Sequence, residues 1–258
     1  MTPLFSADGK ARLDTFVRPG VLCAFDFDGT LAPIVAQPEQ AHLPPAIRAR
    51  LLQLQELAEV AILTGRALDD IAARLDFTPD YLIGNHGLEG LPGSSERRAW
   101  FVELCDGWRA VVRAALAEPG RLDPAIGFED KQISLSLHYR HVQDAPGTEA
   151  ALATLFSTLT PAPRIIAGKC VYNLLPQAAG DKGTAFDQLM LLSAAPAALY
   201  VGDDVTDEDV FRLTRPDLLS IRVGATRNSA APYFLRGHDD MLHLLDTLIA
   251  RLAAAPRP

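Results

Sequence analysis

Two aspartates separated by one residue follow an apolar run near the start of the chain. Residues 21–25 read Val-Leu-Cys-Ala-Phe, and Asp26, Phe27, Asp28 and Gly29 come directly after them. Residues two apart on an extended chain point to the same side, so this pattern predicts a short strand that presents both carboxylates on one face. Such a pair at the carboxyl end of a strand can hold Mg²⁺ and leave one carboxylate free to attack. The alternative is a turn with solvated charges, which Asp-Gly alone would favour.

A second group of acids occurs far along the chain, again directly after an apolar run. Residues 197–201 predict a strand. The acids of the loop that follows include Asp203, Asp204, Asp207 and Glu208. So many carboxylates in one short loop repel one another unless a cation or solvent offsets their charge. We interpret this loop as the second half of a metal site, and a solvated acidic helix start is the alternative.

A hydroxyl and an amine are the other side chains whose placement indicates chemistry. Thr64 follows the apolar run 60–63 and precedes a glycine, so its hydroxyl and the nearby backbone N–H groups could bind phosphate oxygens. Lys182 stands at the predicted start of a helix, where a cation opposes the helix dipole, and this local cost indicates a functional purpose. A helix start after a turn and an ordinary surface lysine are the respective alternatives.

The spacing of apolar residues predicts the elements that position these side chains. The strand patterns at 21–25 and 60–63 enclose a helical pattern that begins at Pro45, and this β-α-β order implies parallel strands. The Leu-Pro-Gly-Ser-Ser run at 91–95 predicts a hinge into a second domain, which contains a long amphipathic helix and a sheet with one buried face. The predicted organisation is a first core segment, an inserted domain and a second core segment: residues 1–92, 93–176 and 177–258.

Length and charge restrict the classes of function. With 258 residues, 48% of them hydrophobic, the chain can bury a substantial core. A net charge of −8 argues against a nucleic acid or an anionic membrane as the main partner, but it is compatible with a small anionic substrate. The cysteines have no metal or redox spacing, and residues 1–20 show no signal peptide or membrane span. The expected location is the cytoplasm, and the expected state is a monomer.

Four segments match, in order, the motifs of the haloacid dehalogenase superfamily of phosphohydrolases. The first reads Asp-Phe-Asp-Gly-Thr-Leu at 26–31, and the second reads Thr-Gly-Arg at 64–66. The third is the single residue Lys182, and the fourth reads Gly-Asp-Asp-Val-Thr-Asp-Glu at 202–208. With the segments at 129–131 and 134–140, the chain resembles trehalose-6-phosphate phosphatases in particular. The resemblance implies an α/β fold, in which a Rossmann-like core with a parallel sheet carries an inserted, smaller α/β cap domain of the C2 type.

The resemblance also implies a role for each matched residue in the hydrolysis of a sugar phosphate. Asp26 would attack phosphorus, and Asp28 would protonate the leaving sugar oxygen and then activate water. Thr64 and Lys182 would hold the other phosphoryl oxygens. The implied cofactor is Mg²⁺, and its ligands would be Asp26, the Asp28 carbonyl and Asp203, supported by Asp204 or Asp207. The implied substrate-binding residues are Arg66, His86, Glu129, Lys131 and Asn173.

The cap sequence departs from the family pattern at two positions. The later cap strand of that family reads Gly-Lys-x-Val-x-Glu-Leu-Arg-Pro, whereas this chain has Asn173 in place of the glutamate and Leu175 in place of the arginine. An amide hydrogen-bonds a sugar hydroxyl less strongly than a carboxylate does. Several alternatives therefore stay open: a phosphatase of sucrose, glucosylglycerol or mannosylglycerate phosphate, a phosphomutase with the same cap type, and a non-catalytic protein that binds a sugar phosphate.

Overall fold

A computed structural model of the chain describes residues 1–35 and 37–255. The chain divides into two units, which we call the core unit (Met1–Leu91 with Gly180–Pro258) and the cap unit (Pro92–Ala179). Within the described ranges, no helix combines the length and the apolar character that crossing a membrane requires.

Among its described residues, the core unit contains seven strands and six α-helices. Its strands are β1 (Thr2–Pro3), β2 (Leu22–Phe25), β3 (Glu59–Leu63), β4 (Tyr81–Ile83), β9 (Ala198–Gly202), β10 (Leu218–Val223) and β11 (Tyr233–Leu235). Its helices are α1 (Ala7–Phe16), α2 (Pro45–Gln55), α3 (Leu68–Leu75), α6 (Lys182–Ser193), α7 (Glu208–Phe211) and α8 (Asp240–Ala254). The cap unit contains the elements in between: α4 (Ser94–Ala117), β5 (Gly127–Asp130), β6 (Leu135–His138), α5 (Ala145–Ser157), β7 (Arg164–Gly168) and β8 (Val171–Leu175).

The core sheet is entirely parallel, in the order β1-β11-β10-β9-β2-β3-β4. Strand β2, which lies between β9 and β3, is apolar and buried along its whole length, as strands covered by helices on both faces are. Its alternate side chains enter two different clusters: Cys23 and Phe25 pack with α1, α2, α3 and α8, while Leu22 and Ala24 pack with α6 and α7. The predicted α/β fold with a parallel sheet is therefore confirmed.

Strand register brings the predicted chemical groups to one edge of this sheet. Phe25 pairs with Ile62 on one side and with Val201 on the other. Asp26, Thr64 and Asp203 therefore leave the carboxyl ends of three neighbouring strands, where parallel α/β sheets form their ligand sites.

The cap unit is built on a four-stranded antiparallel sheet, in the order β5-β6-β8-β7. Leu135, Leu137 and Leu174 pack with side chains of α4 and α5 in the cluster that forms the core of this unit. The residues that alternate with them include polar ones, and the register aligns Glu129 with Ser136 and Ser136 with Asn173. A row of polar side chains therefore crosses three strands on one face of the cap sheet.

Helix α1 and strands β1 and β11 were not predicted from the sequence. The helix α1 begins after Ser6, whose hydroxyl accepts a hydrogen bond from the backbone N–H of Gly9 at 3.2 Å. Strands β1 and β11 have two and three residues, and they extend the sheet beyond β10. Elements of this length carry too few apolar residues for a periodic pattern, because their pairing depends on contacts made across the fold.

Candidate active site

The loop after β2 directs Asp26 and Asp28 away from the hydrophobic core. The N–H of Asp26 donates to the carbonyl of Val201 at 2.8 Å, so Asp26 continues the pairing of β2 with β9. Phe27 is fully buried in the cluster that contains Phe25. Alternation along an extended chain therefore leaves the two aspartates on the opposite side from Phe27.

Gly29 is the residue that lets two acidic segments come together. Its φ is +82°, a backbone conformation that residues with a Cβ rarely adopt. A Cβ built at this position would also collide with the carboxylate of Asp203. Glycine is therefore required here both for the turn and for the close approach of the second acidic loop.

Lys182 joins two buried carboxylates. Its Nζ donates to Oδ1 of Asp26 at 2.7 Å and to Oδ1 of Asp207 at 2.8 Å, and all three side chains are almost fully buried. The lysine is the first residue of α6, where Asp181 caps the helix by accepting from the N–H of Thr184 at 2.7 Å. The helix start therefore carries a cation because that cation neutralises acids from two other elements.

Asp207 accepts hydrogen bonds from Tyr200 and from its own loop as well as from Lys182. Its Oδ1 also accepts from the hydroxyl of Tyr200 at 2.7 Å. Its Oδ2 accepts from the backbone N–H groups of Asp203 and Asp204, each at 2.8 Å. Asp207 thus holds the acidic loop in shape and holds the amine of Lys182 in place. Tyr200 was not predicted as a site residue, because an aromatic residue inside an apolar strand has the pattern of a core residue.

The electrostatics of this cluster follow from burial and from the excess of acids. Burial is the largest effect on Asp26 and raises its pKa. Lys182 lowers this pKa, whereas the neighbouring Asp207 and Asp203 raise it. The resulting pKa of Asp26 lies well above the usual range. Burial alone would lower the pKa of Lys182, but Asp207 and Asp26 raise it above its usual value. The lysine therefore stays charged, while Asp26 is an acid whose ionisation depends on a neighbouring cation.

The donor set fits a hard divalent cation. Asp26, Asp203 and Asp207 each offer a carboxylate oxygen, and these oxygens lie within 4.8 Å of one another. When all three carboxylates are ionised, the one ammonium beside them leaves two negative charges for a cation to offset, and oxygen ligands of this kind are those that Mg²⁺ prefers. Asp207 already accepts four hydrogen bonds, so the charge and geometry favour Asp26 and Asp203 as direct ligands.

Arg222 on β10 binds the backbone carbonyls of the acidic loop. One of its amino groups contacts the carbonyl of Asp203, and the other donates to the carbonyl of Asp204 at 3.2 Å and to Glu208 at 3.0 Å. Glu208 is itself 4% exposed and accepts from the N–H of Ala230 at 2.9 Å. The Asp204 carboxylate takes part in a capping box with Asp207 at the start of the short 3-10 turn, so Asp204 shapes the loop.

The second predicted motif is positioned by the loop after β4. Thr64 is buried, and its hydroxyl accepts from the N–H of Arg66 at 3.2 Å while its carbonyl accepts from the N–H of His86 at 3.0 Å. His86 has a φ of +57°, and its ring lies so close to Gly65 that a Cβ there would be 2.5 Å from it. Asn85 donates to Glu89 at 2.8 Å, and Glu89 accepts from a backbone N–H at the start of α3.

Asp28 and Arg66 form a two-point ion pair. The Nε and Nη2 of Arg66 donate to the two carboxylate oxygens of Asp28, each at 2.7 Å. The guanidinium also lies over the ring of Phe27, 5.6 Å from its centroid. The side chain of Asp28 is 43% exposed, whereas that of Arg66 is 11% exposed. The two aspartates of the first motif thus have different partners: a buried lysine for Asp26 and an arginine for Asp28.

Comparison with known proteins places this site in a family. The family model of trehalose-phosphatases matches residues 24–239, which contain all of the residues described above from Asp26 to Ala230. The chain belongs to the trehalose-phosphatase family. The resemblance that the sequence motifs indicated is therefore confirmed.

Curated relatives agree with this membership, and a solved structure is similar in fold. A trehalose-phosphate phosphatase of Mycobacterium bovis is 30% identical over 246 residues, which cover 90% of this chain and 62% of the relative. One of Mycobacterium marinum is 32% identical over 219 residues, covering 81% of this chain and 55% of the relative. The chain thus spans less than two thirds of the length of these relatives. The C-terminal domain of C. albicans trehalose-6-phosphate phosphatase is similar in fold, with a TM-score of 0.74 at 21% identity over 97% of this chain and 98% of that chain.

The cap residues that the trehalose-phosphatase resemblance singled out lie together within the cap unit. Glu129 is hydrogen-bonded to the ring Nε2 of His138 at 2.9 Å, and the amine of Lys131 is 3.9 Å from Glu129. Asn173 is buried and accepts from the hydroxyl of Ser136 at 2.6 Å through its Oδ1. His138 and Ser136 were not predicted as site residues, although both lie on the polar face of the strand pattern.

Proposed function

We propose that this chain is a phosphatase that hydrolyses trehalose 6-phosphate to trehalose and inorganic phosphate through an aspartyl-phosphate on Asp26. The observation that carries the proposal is the buried hydrogen bond between Lys182 and Asp26, at the sheet edge that also presents Thr64 and Asp28. Membership of the trehalose-phosphatase family supports the choice of substrate. Unaided hydrolysis of phosphate monoesters needs acceleration by up to ~10²¹, so the site must both activate a nucleophile and neutralise charge.

Asp26 is suited to the role of nucleophile. Lys182 binds its Oδ1, which favours the ionised form and leaves Oδ2 to attack phosphorus. The ammonium of Lys182 and the hydroxyl of Thr64 would hold phosphoryl oxygens as charge develops on them. A hydroxyl that accepts a hydrogen bond, as that of Thr64 does from Arg66, still has its own hydrogen to donate.

Asp28 is suited to carry the proton. In the first step its carboxyl group would protonate the bridging oxygen of the sugar, and in the second its carboxylate would take a proton from the water that attacks the aspartyl-phosphate. The side chain of Asp28 is 43% exposed and can exchange protons with solvent, whereas Asp26 is deeply buried. In the second step, the two N–H donors of Arg66 would hold the Asp28 carboxylate that takes the proton.

Mg²⁺ is the proposed cofactor, with Asp26 and Asp203 as its carboxylate ligands and the Asp28 carbonyl as a third. Asp204 and Asp207 would support these ligands through the loop. When bound, the ion would supply two positive charges that offset the buried carboxylates and the substrate phosphate. The charge balance of the site supports this choice.

Glu129, Lys131 and Asn173 of the cap are the proposed sugar-recognising side chains, and Arg66 and His86 of the core are proposed substrate contacts.

One observation favours a second candidate, a phosphatase of another sugar phosphate. Asn173 presents an amide, and Ser136 occupies its oxygen, so the remaining polar group of the amide is an N–H donor. A substrate with an acceptor at that place would suit this chain better than it suits a relative with a carboxylate there.

Phosphate release by the purified protein tests the proposal. The substrates are trehalose 6-phosphate, glucose 6-phosphate, sucrose 6-phosphate and an aryl phosphate, each with Mg²⁺ and with EDTA. A preference for trehalose 6-phosphate of at least about tenfold in kcat/KM is expected. Faster turnover of another sugar phosphate would favour the second candidate, and binding without turnover would favour a non-catalytic protein. Near-native activity of Asp26→Asn would exclude Asp26 as the nucleophile.

A further inference from the structure

The turn between β5 and β6, residues 131–134, carries one of the proposed sugar-recognising side chains. Lys131 is its first residue, and the amine of Lys131 lies 3.9 Å from Glu129, another of the proposed sugar contacts. The backbone of this turn is unusual, because Gln132 has a φ of +67°, which residues other than glycine rarely adopt. Such a conformation persists where the surrounding structure holds it, so the contacts of this turn determine where Lys131 lies.

Arg109 on α4 binds this turn from the helix-covered face of the cap sheet. Asp130 is paired with Leu135, which packs against α4, whereas Glu129 lies on the polar face. The Nε of Arg109 donates to Oδ2 of Asp130 at 2.6 Å. Its Nη2 donates to Oδ1 of Asp130 at 3.0 Å and to the carbonyl of Gln132 at 3.2 Å. One guanidinium therefore contacts the residues immediately before and after Lys131.

Further hydrogen bonds fix the same turn. Oδ1 of Asp130 also accepts from the backbone N–H of Gln132 at 3.0 Å, and the N–H of Lys131 donates to the carbonyl of Ser134 at 3.0 Å. The side-chain oxygen of Gln132 accepts from Arg98, a second arginine of α4, at 2.7 Å. The position of Lys131 is therefore set by α4 as much as by the two strands that the turn connects.

The pair of Arg109 and Asp130 is ionised and shielded from solvent. Their side chains are 15% and 25% exposed, and Arg109 also contacts Asp106 through Nη1. Burial raises the pKa of Asp130, but the hydrogen bonds from Arg109 and from the backbone of Gln132 outweigh this, and the pKa lies below its usual value. A two-point pair between a guanidinium and a carboxylate fixes direction as well as distance.

We propose that Arg109 is a positioning residue for sugar recognition, and that it acts through Lys131. It holds the turn by Asp130 and by the carbonyl of Gln132, and so places the amine of Lys131 beside Glu129. This inference rests on the proposed phosphatase function, in which Lys131 contacts the sugar. Arg109 itself lies on the helix-covered face of the cap sheet, so its effect on the substrate is indirect.

A competing explanation is that Arg109 only stabilises the cap unit. A purely structural role would lower the unfolding temperature of a variant and leave the kinetic constants of the folded protein unchanged. A positioning role would instead weaken the hydrolysis of a sugar phosphate by the folded protein, while an aryl phosphate, which has no sugar, would be hydrolysed as before.

Coupling between two substitutions distinguishes the explanations more sharply. If Arg109 acts by placing the amine of Lys131, its substitution has nothing left to disturb once that amine has been removed. The loss caused by changing Arg109 should then disappear in a protein that already lacks the lysine. Two residues that act independently would instead show losses that multiply.

The experiment compares wild type with Arg109→Lys, Lys131→Ala and the combined variant. Lysine at position 109 keeps the charge but lacks the planar fork that binds two oxygens. The measured quantity is kcat/KM, for p-nitrophenyl phosphate and for whichever sugar phosphate the wild type hydrolyses fastest. The matched control is Arg121→Lys, which breaks a surface pair with Glu118 in the same unit and should change neither value.

The sugar phosphate should show the losses. We expect kcat/KM to fall about tenfold or more for Lys131→Ala, because a charged hydrogen-bond donor is lost, and about threefold or more for Arg109→Lys. The combined variant should lie within about twofold of Lys131→Ala. For the aryl phosphate, every variant should stay within about twofold of wild type, because the sugar contacts are not used.

The outcomes separate this inference from the function on which it rests. Losses that multiply, an equal loss on both substrates, or an unchanged value in either single variant would overturn the role of Arg109 and leave the phosphatase function intact. A wild type that releases phosphate from neither substrate would overturn both. Thermal unfolding checks that each variant is folded, and if Arg109→Lys is not, Asp130→Asn replaces it in the cycle with the same expectations.

Discussion

Lys182→Met tests whether one buried amine balances the acids of the site. In the wild type, Nζ of Lys182 lies 2.7 Å from Asp26 and 2.8 Å from Asp207, whose side chains are 6% and 0% exposed. Removing one partner of a buried ion pair costs about 3–5 kcal/mol, because a charge then stays buried without compensation. We expect such a loss of stability for Lys182→Met at pH 7.5 in EDTA. For a protein of this size it lowers Tm by about 10 °C.

The pH dependence of this loss has a definite sign. The pKa of Asp26 in the folded protein is raised well above the ordinary value of 3.8, so ionisation disfavours the folded state as pH rises from about 4 towards that raised pKa. Lys182 is the group that lowers this pKa, so its removal widens the window over which stability falls. The difference between wild type and variant should therefore be smaller at pH 5 than at pH 7.5.

The assay is urea unfolding at pH 5 and pH 7.5, with EDTA present so that metal does not replace the missing charge. The matched control is Lys10→Met, because Lys10 is an exposed lysine of α1. The electrostatic reasoning would be refuted by a loss below about 1 kcal/mol at pH 7.5, or by a larger loss at pH 5. In the presence of Mg²⁺, kcat should fall by about 10²- to 10³-fold, since one donor to the developing charge is missing.

Three further predictions concern the same site. Tyr200→Phe removes one of the donors to the buried carboxylate of Asp207, and should lower the free energy of unfolding by about 1–2 kcal/mol in urea. Gly29→Ala should abolish detectable Mg²⁺ binding in calorimetry, because φ is +82° and the added methyl group meets the carboxylate of Asp203. Mg²⁺ at 100 times its Kd should stabilise the wild type by about 2.7 kcal/mol in urea unfolding, whereas Asp203→Asn should show less than half of this gain.

Each of these predictions has a control or a contradicting result. Tyr233→Phe removes an exposed hydroxyl that donates to Asp8 and should cost much less than Tyr200→Phe. Gly107→Ala adds a methyl group where no atom lies within 4 Å and should leave Mg²⁺ binding unchanged. Equal Mg²⁺ stabilisation of wild type and Asp203→Asn would argue against a metal site at the acidic loop.

The motifs were predictable because each is a local pattern. Strands such as β2 and β9 are apolar runs, and polar residues that directly follow such runs have to lie at a sheet edge. The unfavourable position of Lys182 at a helix start was itself a signal, and the structure shows that this lysine contacts two acids. A local conflict of this kind often marks a functional residue, because selection for function outweighs helix preference.

The supporting residues were not predictable in the same way. Tyr200 and Arg222 lie in strands, where an aromatic residue and an isolated arginine have ordinary explanations. Arg109 lies on a long helix, and nothing in its spacing indicates a link to the turn that carries Lys131. Arg66 was predicted to contact substrate, and the structure adds that its guanidinium pairs with Asp28 and Asp70.

The sequence by itself determined the family, the alternation of strands and helices, and the set of acids, hydroxyl and amine at one edge of a parallel sheet. These follow from short-range patterns, since periodicity and turn residues act over a few positions. Only the tertiary structure decided which donor meets which carboxylate. Lys182 and Asp26 are 156 residues apart, and a hydrogen bond depends on tenths of an ångström that are set by packing across the whole sheet.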